Sequence, residues 1–218
     1  MPQTLPLPRT LRRSLVAGCL AASALAVVGG VSLAEDGPSF DCAKAESSAE
    51  KLVCGDAELT GLDRLVADRF AAALAVARGL DSGADKAEKE LLAYQRGWIK
   101  GRDECWKDDD PRACVKWQYE RREAELVTQF MLEKPSATVF WSCGGNPSNE
   151  VVTSFFETKL PSVRFERGDS IDTGTLEPTG SGSRYAGSFG RSIWIKGDEA
   201  TYRDPDPDGV EYVCSKSG

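Results

Sequence analysis

The 218-residue chain has no histidine. Without an imidazole to carry the proton, Ser-His-Asp and Cys-His catalysis are excluded. The commonest metal ligand is missing as well. The cysteine spacings 42–54 and 105–114 do not match the CxxC pairs of zinc sites, so no structural metal and no cofactor are expected. Internal repeats and low-complexity tracts are absent. A positive surplus is also absent: 27 Lys and Arg stand against 34 Asp and Glu. A surface that neutralises phosphates is therefore not expected, which argues against nucleic-acid binding.

What is present begins with an export signal. Arg9, Arg12 and Arg13 form a basic start, Leu15 to Val28 is apolar, and Ser32-Leu33-Ala34 supplies small residues for signal peptidase. Residues 1–34 are read as a signal peptide cut after Ala34, which places the mature chain in the periplasm or outside the cell. The uncharged run from Ser14 to Ala34 only just reaches membrane-spanning length and is rich in Ala, Gly and Ser, so an uncleaved anchor is the weaker reading. Val16-Ala17-Gly18-Cys19 resembles a lipobox with Cys19 as the lipidated residue. It lies close behind Arg13 and the apolar stretch continues past it, which makes a lipid-anchored form the less favoured one.

Cleavage leaves six cysteines: Cys42, Cys54, Cys105, Cys114, Cys143 and Cys214. An even number behind an export signal reads as three disulfides in an oxidising compartment. It also leaves 24 basic against 34 acidic residues, a net charge of −10, suited to a cationic partner.

The mature chain changes pattern near Lys134-Pro135-Ser136. Residues 35–135 follow a helical period. Leu59, Leu62, Val66, Phe70 and Leu74 recur at spacings of three and four behind the acids at 56–58. A second helix is expected from about Asp85 to Trp106, with Leu91, Tyr94, Trp98 and Cys105 on one face. A third runs from about Arg112 to Glu133, with Val115, Tyr119, Leu126 and Phe130. Short connections predict an antiparallel three-helix bundle. Local pairing of Cys42 with Cys54 and Cys105 with Cys114 is simplest, but three connectivities are open. Residues 136–218 instead hold β-rich runs at 138–143, 150–156, 162–166, 191–195, 199–202 and 209–214, split by Gly, Pro, Asn and Asp. They predict a small antiparallel barrel or sandwich, its ends tied by Cys143–Cys214. The fold class is α+β in two domains.

Chemistry without histidine leaves two enzymatic options. A Ser–Lys dyad of Ser181 or Ser183 with Lys196 needs a buried lysine, yet Lys196 precedes Gly197 at a strand end, where side chains stay solvated. A carboxylate pair for glycoside hydrolysis finds acids in plenty but none in an apolar setting. The chain is therefore expected not to be an enzyme. The same residues suit recognition. Glycines at 180, 182 and 197 let backbone approach a partner, a serine hydroxyl donates or accepts, and Lys196 brings a cation on a long stem.

The series Cys143, Ser181-Gly-Ser-Arg-Tyr185, Trp194-Ile-Lys-Gly-Asp-Glu-Ala200 and Cys214 resembles the membrane-bound or periplasmic inhibitors of c-type lysozyme, the MliC family. The helical half resembles the LprI-type domain, also linked to lysozyme inhibition. It does so through Phe40-Asp-Cys42, Glu50-Lys-Leu-Val-Cys54, Glu58-Leu59, Leu62-Asp63, Tyr94, Trp98, Arg102, Cys105, Cys114, Tyr119, Arg122 and Leu126. The first resemblance implies an eight-stranded antiparallel β-barrel that plugs the lysozyme cleft. Ser181 and Lys196 would then meet the two catalytic carboxylates of the target, Gly182 and Gly197 would shape the loops, and Tyr185 would brace the first. Ser183 offers a second hydroxyl, and the choice of Ser181 rests on the Ser-Gly-x-x-Tyr frame. The implied partner is a cationic c-type lysozyme. The alternative is a non-catalytic envelope adaptor that binds another exported protein through the helical domain.

Overall fold

Ser47 and Glu50 begin the first regular helix by capping each other. The Ser47 hydroxyl accepts from Glu50 N–H, and the Glu50 carboxylate accepts from Ser47 N–H. In the computed structural model, which describes residues 37–217, this reciprocal cap opens α1 (Ser48–Gly55). The side chain of Pro147 is not among those described. The signal peptide, the candidate lipobox and Cys19 lie outside the described residues.

The helical part continues with α2 (Ala57–Arg78), α3 (Ala84–Asp103) and α4 (Pro111–Phe130). Four α-helices are therefore described where periodicity predicts three. The additional one, α1, is a single short element whose signal is its capping box rather than an apolar stripe. It carries Cys54, bonded to Cys42, while Cys105 is bonded to Cys114 across the α3–α4 turn. Helix α3 is shorter than expected, because Glu104–Lys107 tighten into a 3-10 turn. Helix α4 also stops early, at Met131, which takes a left-handed conformation with φ 50°.

Leu59, Leu62, Val66, Leu91, Val115, Tyr119 and Leu126 meet in the helical core, all at most 5% exposed. A polar chain crosses this core: Arg102 donates to the Tyr119 hydroxyl at 2.8 Å, which donates to Asp63 at 2.9 Å. Each group is buried and partnered, so the Leu62-Asp63, Arg102 and Tyr119 signature is structural here. Burial pushes the Tyr119 hydroxyl well above the usual tyrosine range. Tyr94, expected on the inner face of its helix, is instead 67% exposed.

Residues after the helices form β1 (Ala137–Cys143), β2 (Asn146–Phe156), β3 (Ser162–Arg167), β4 (Ser170–Glu177), β5 (Ser183–Ala186), β6 (Ser192–Lys196), β7 (Glu199–Arg203) and β8 (Glu211–Lys216). Each strand pairs antiparallel with the next, and β1 pairs with β8, which closes an eight-stranded up-and-down barrel. Inside lie Trp141, Val151, Val163, Phe165, Ile193 and Tyr202, with Cys143–Cys214 bonding the first strand to the last.

Helix α4 sits directly against the barrel. Arg164 of β3, 8% exposed, donates to the carbonyls of Thr128 at 3.1 Å and Gln129 at 2.9 Å in the last turn of α4. This is the helix end where backbone carbonyls lack intrahelical partners and a cation is favoured. The Thr128 and Thr173 hydroxyls are hydrogen-bonded, and the buried Glu123 carboxylate accepts from Lys159 N–H at 2.8 Å.

Candidate functional site

The up-and-down order places the β4–β5 loop and the β6–β7 hairpin at the same end of the barrel. The first loop holds Ser181 and Gly182, and the second holds Gly197 and Asp198 directly after Lys196. Strand register sets Ser183 opposite Ile195, which brings Gly182 beside Lys196. The approach is close. A Cβ on Gly182 would lie 2.3 Å from the Ile195 carbonyl oxygen and 3.0 Å from Lys196 Cγ, and its φ is +70°. Both the space and the backbone conformation require glycine there.

The hairpin turn is of a different kind. Gly197 has φ +65° with open space around it, and a positive φ is confined to this first central residue, as in a type II′ turn. Asp198 is fastened to β8: its carboxylate accepts from Lys216 Nζ at 2.8 Å and its carbonyl from Lys216 N–H at 3.0 Å. The Lys216 ammonium holds the Asp198 carboxyl below the usual range.

With Asp198 occupied by Lys216, Lys196 makes no ion pair among the described residues. Its Nζ instead lies 3.6 Å from the centroid of the Trp194 ring, two residues back on the same strand face. The same indole reaches the other loop, where Trp194 Nε1–H donates to the Ser181 carbonyl at 2.8 Å. Thr179 adds a small local turn, its hydroxyl donating to Ser181 O at 3.1 Å and accepting from Ser181 N–H at 3.3 Å. The Ser181 backbone is thus held while its residue stays exposed.

Of the five residues singled out, Ser181, Gly182, Lys196 and Gly197 gather at this end of the barrel. Tyr185 lies apart from them in the wall of β5, half-buried and edge-on to Phe155 at 5.3 Å between centroids. Its burial raises the hydroxyl pKa. Ser183 shares Tyr185's strand face and is half-buried, whereas Ser181 is exposed. The residue that position-by-position reading missed is Trp194. Its signal was available: on a strand, two residues before Lys196 is the same face.

The barrel carries the match to a protein-family model, the membrane-bound lysozyme inhibitor of c-type lysozyme, MliC, over residues 141–211. The chain is therefore a two-domain protein of helical bundle and MliC-type barrel. Lipoprotein LprI of Mycobacterium bovis and lipoprotein LprI of Mycobacterium tuberculosis are each 30% identical to it over 183 residues, covering 83% of this chain and 85% of the relative. The chain belongs to the LprI family. No helix among the described residues is long and apolar enough to cross a membrane.

Proposed function

We propose that this protein is an exported inhibitor of c-type lysozyme that acts by occlusion and without catalysis. The barrel end with Ser181 and Lys196 enters the lysozyme cleft, Lys196 pairing with one catalytic carboxylate and Ser181 hydrogen-bonding the other.

The observation that carries this reading is the state of Lys196. It is an exposed ammonium at a hairpin tip, held over Trp194 and without an ionic partner among the described residues, although Asp198 follows two residues on and Glu199 is its cross-strand neighbour. A displayed cation that makes no ion pair of its own among the described residues is suited to a partner's carboxylate. The Trp194 bond to Ser181 holds the β4–β5 loop at the same time, so both contacts are organised before binding. Long-range charge acts in the same direction. A mature chain of net charge −10 attracts a cationic enzyme, while the cleft itself, being acidic, requires a cation at the tip. The exposure of Ser181 and the inward face of Ser183 favour Ser181 as the hydroxyl presented.

The test is cell-wall hydrolysis by a c-type lysozyme titrated with the purified mature chain, residues 35–218. Turnover is expected to fall in proportion to inhibitor. Undiminished turnover at a large molar excess overturns the proposal.

A further inference from the structure

Away from these loops, a groove of about 430 Å³ runs between α4 and the barrel strand β4. It adjoins a second hollow of about 270 Å³ against α3 and α4, and the two share Tyr94, Trp117, Arg121, Arg122 and Glu125. Its volume lies within the range of small-molecule sites. None of Ser181, Gly182, Lys196 and Gly197 lines either hollow.

Two aromatic rings are left uncovered there. Tyr94 is 67% exposed and Trp117 is 43% exposed, although both stand on helices with an apolar core available behind them. Trp117 is steadied by Arg121, whose guanidinium carbon lies 5.2 Å from the ring centroid. Arg121 is in turn held by Glu125 at 3.1 Å.

Beneath them is a donor without an acceptor. Arg122 is 4% exposed, and burial lowers its pKa. Its Nε–H donates to Gln95 at 3.0 Å and its Nη1–H to Glu125 at 3.2 Å, but Nη2 is buried with no partner among the described residues. Buried guanidinium donors are ordinarily satisfied, and Arg122 lines both hollows, so its spare donor lies at the groove.

Charge narrows the class of ligand. The lining holds two arginines and three carboxylates, Glu125, Asp172 and Glu177. That balance disfavours a phosphate or carboxylate ligand. A cation is no better served, because Glu125 is shared by the two arginines and Asp172 accepts from both the N–H and the hydroxyl of Ser188. What remains is a neutral ligand with apolar faces for Tyr94 and Trp117 and a hydroxyl or amide oxygen for Arg122. Hexose rings joined in a short chain have that combination, their C–H faces apolar and their rims polar.

We propose that the groove between α4 and the barrel binds a neutral oligosaccharide of two or three rings, stacked on Tyr94 and Trp117 with an oxygen accepting from Arg122. The proposal separates this groove from the lysozyme contact: sugar binding is read on the inhibitor alone, and lysozyme inhibition is read as the control.

The test uses the mature chain and N,N′,N″-triacetylchitotriose, followed by NMR shifts of backbone N–H groups that line the groove, those of Gln129 and Thr173 among them. A saturable shift at millimolar sugar or below is expected, weakened about tenfold or more in Trp117→Ala and in Tyr94→Ala. Both substitutions are at exposed sites, so the melting temperature should hold. Lysozyme inhibition by the two variants should match the parent. No saturable shift up to about 10 mM sugar overturns the proposal, as does a shift that survives both substitutions. A comparable loss of lysozyme inhibition in either variant also overturns it, by making the groove part of the lysozyme contact.

Discussion

The indole of Trp194 joins the two loops of the barrel end: its face lies under the Lys196 ammonium at 3.6 Å, and its N–H holds the Ser181 carbonyl at 2.8 Å. Removing the ring removes a cation–π contact and a hydrogen bond, each about 1 kcal/mol. Trp194→Ala is expected to raise the inhibition constant against c-type lysozyme about tenfold or more. Trp194→Phe keeps the face and loses the N–H, and should fall between alanine and parent. Equal inhibition by all three would detach Trp194 from the loops' function.

Gly182 and Gly197 should respond differently to the same methyl group. Gly182→Ala meets the Ile195 carbonyl oxygen at 2.3 Å on a left-handed backbone, so the loop must move. Gly197→Ala meets open space and carries only the cost of a positive φ, about 1–3 kcal/mol. Thermal melting should therefore rank Gly182→Ala below Gly197→Ala, with Gly182→Ala the poorer inhibitor. The reverse order would contradict the packing described between Gly182 and β6.

Arg164 ties the barrel to the end of α4. Arg164→Ala leaves two carbonyls of that last turn without their charged donor and should cost about 2–4 kcal/mol in denaturant unfolding. It should also separate the unfolding of helices and barrel, so that helical and aromatic signals no longer coincide. An unchanged, single transition would show that this contact does not couple the two parts.

Glu123 lies in the same junction. Burial raises its carboxyl pKa above the ordinary value, the Lys159 N–H and Arg69 opposing that only partly. The folded state therefore holds this proton more tightly than the unfolded chain, and stability falls as pH rises through and above the ordinary carboxylate range. Glu123→Gln keeps an acceptor for Lys159 N–H and removes the buried charge. Its melting temperature relative to the parent is expected to improve between pH 4 and pH 7, in the sense the linkage requires. A constant difference across that range would assign the pH response elsewhere.

Much of this fold was legible because helix and strand periods differ. Leu59, Leu62 and Val66 mark their helix at spacings of three and four, and the β-rich runs after residue 136 mark six of the eight strands. The two strands not read, β4 and β5, are the weakly patterned ones. Ser170–Glu177 has few apolar residues and Ser183–Ala186 is only four residues long, so neighbours in the barrel rather than local pattern hold them. They flank Ser181, whose setting therefore came through resemblance. Helix α1 was hidden for a similar reason, being too short for a stripe. Tyr94 follows the spacing of a core residue yet lies on the groove, because the width of a helix's buried face depends on what packs against it. The engagement of Asp198 by Lys216 depends on a pairing between β7 and β8 that no local pattern announces.

Whether Lys196 meets a catalytic carboxylate of lysozyme is read from the inhibition constant of Lys196→Ala beside that of the parent. Lys196 is exposed and makes no ion pair among the described residues, so the substitution should leave the melting temperature unchanged. Loss of a charge pairing inside a desolvated cleft costs about 2–5 kcal/mol, so inhibition should weaken about 30-fold or more. A folded Lys196→Ala protein that inhibits lysozyme as strongly as the parent would contradict that contact.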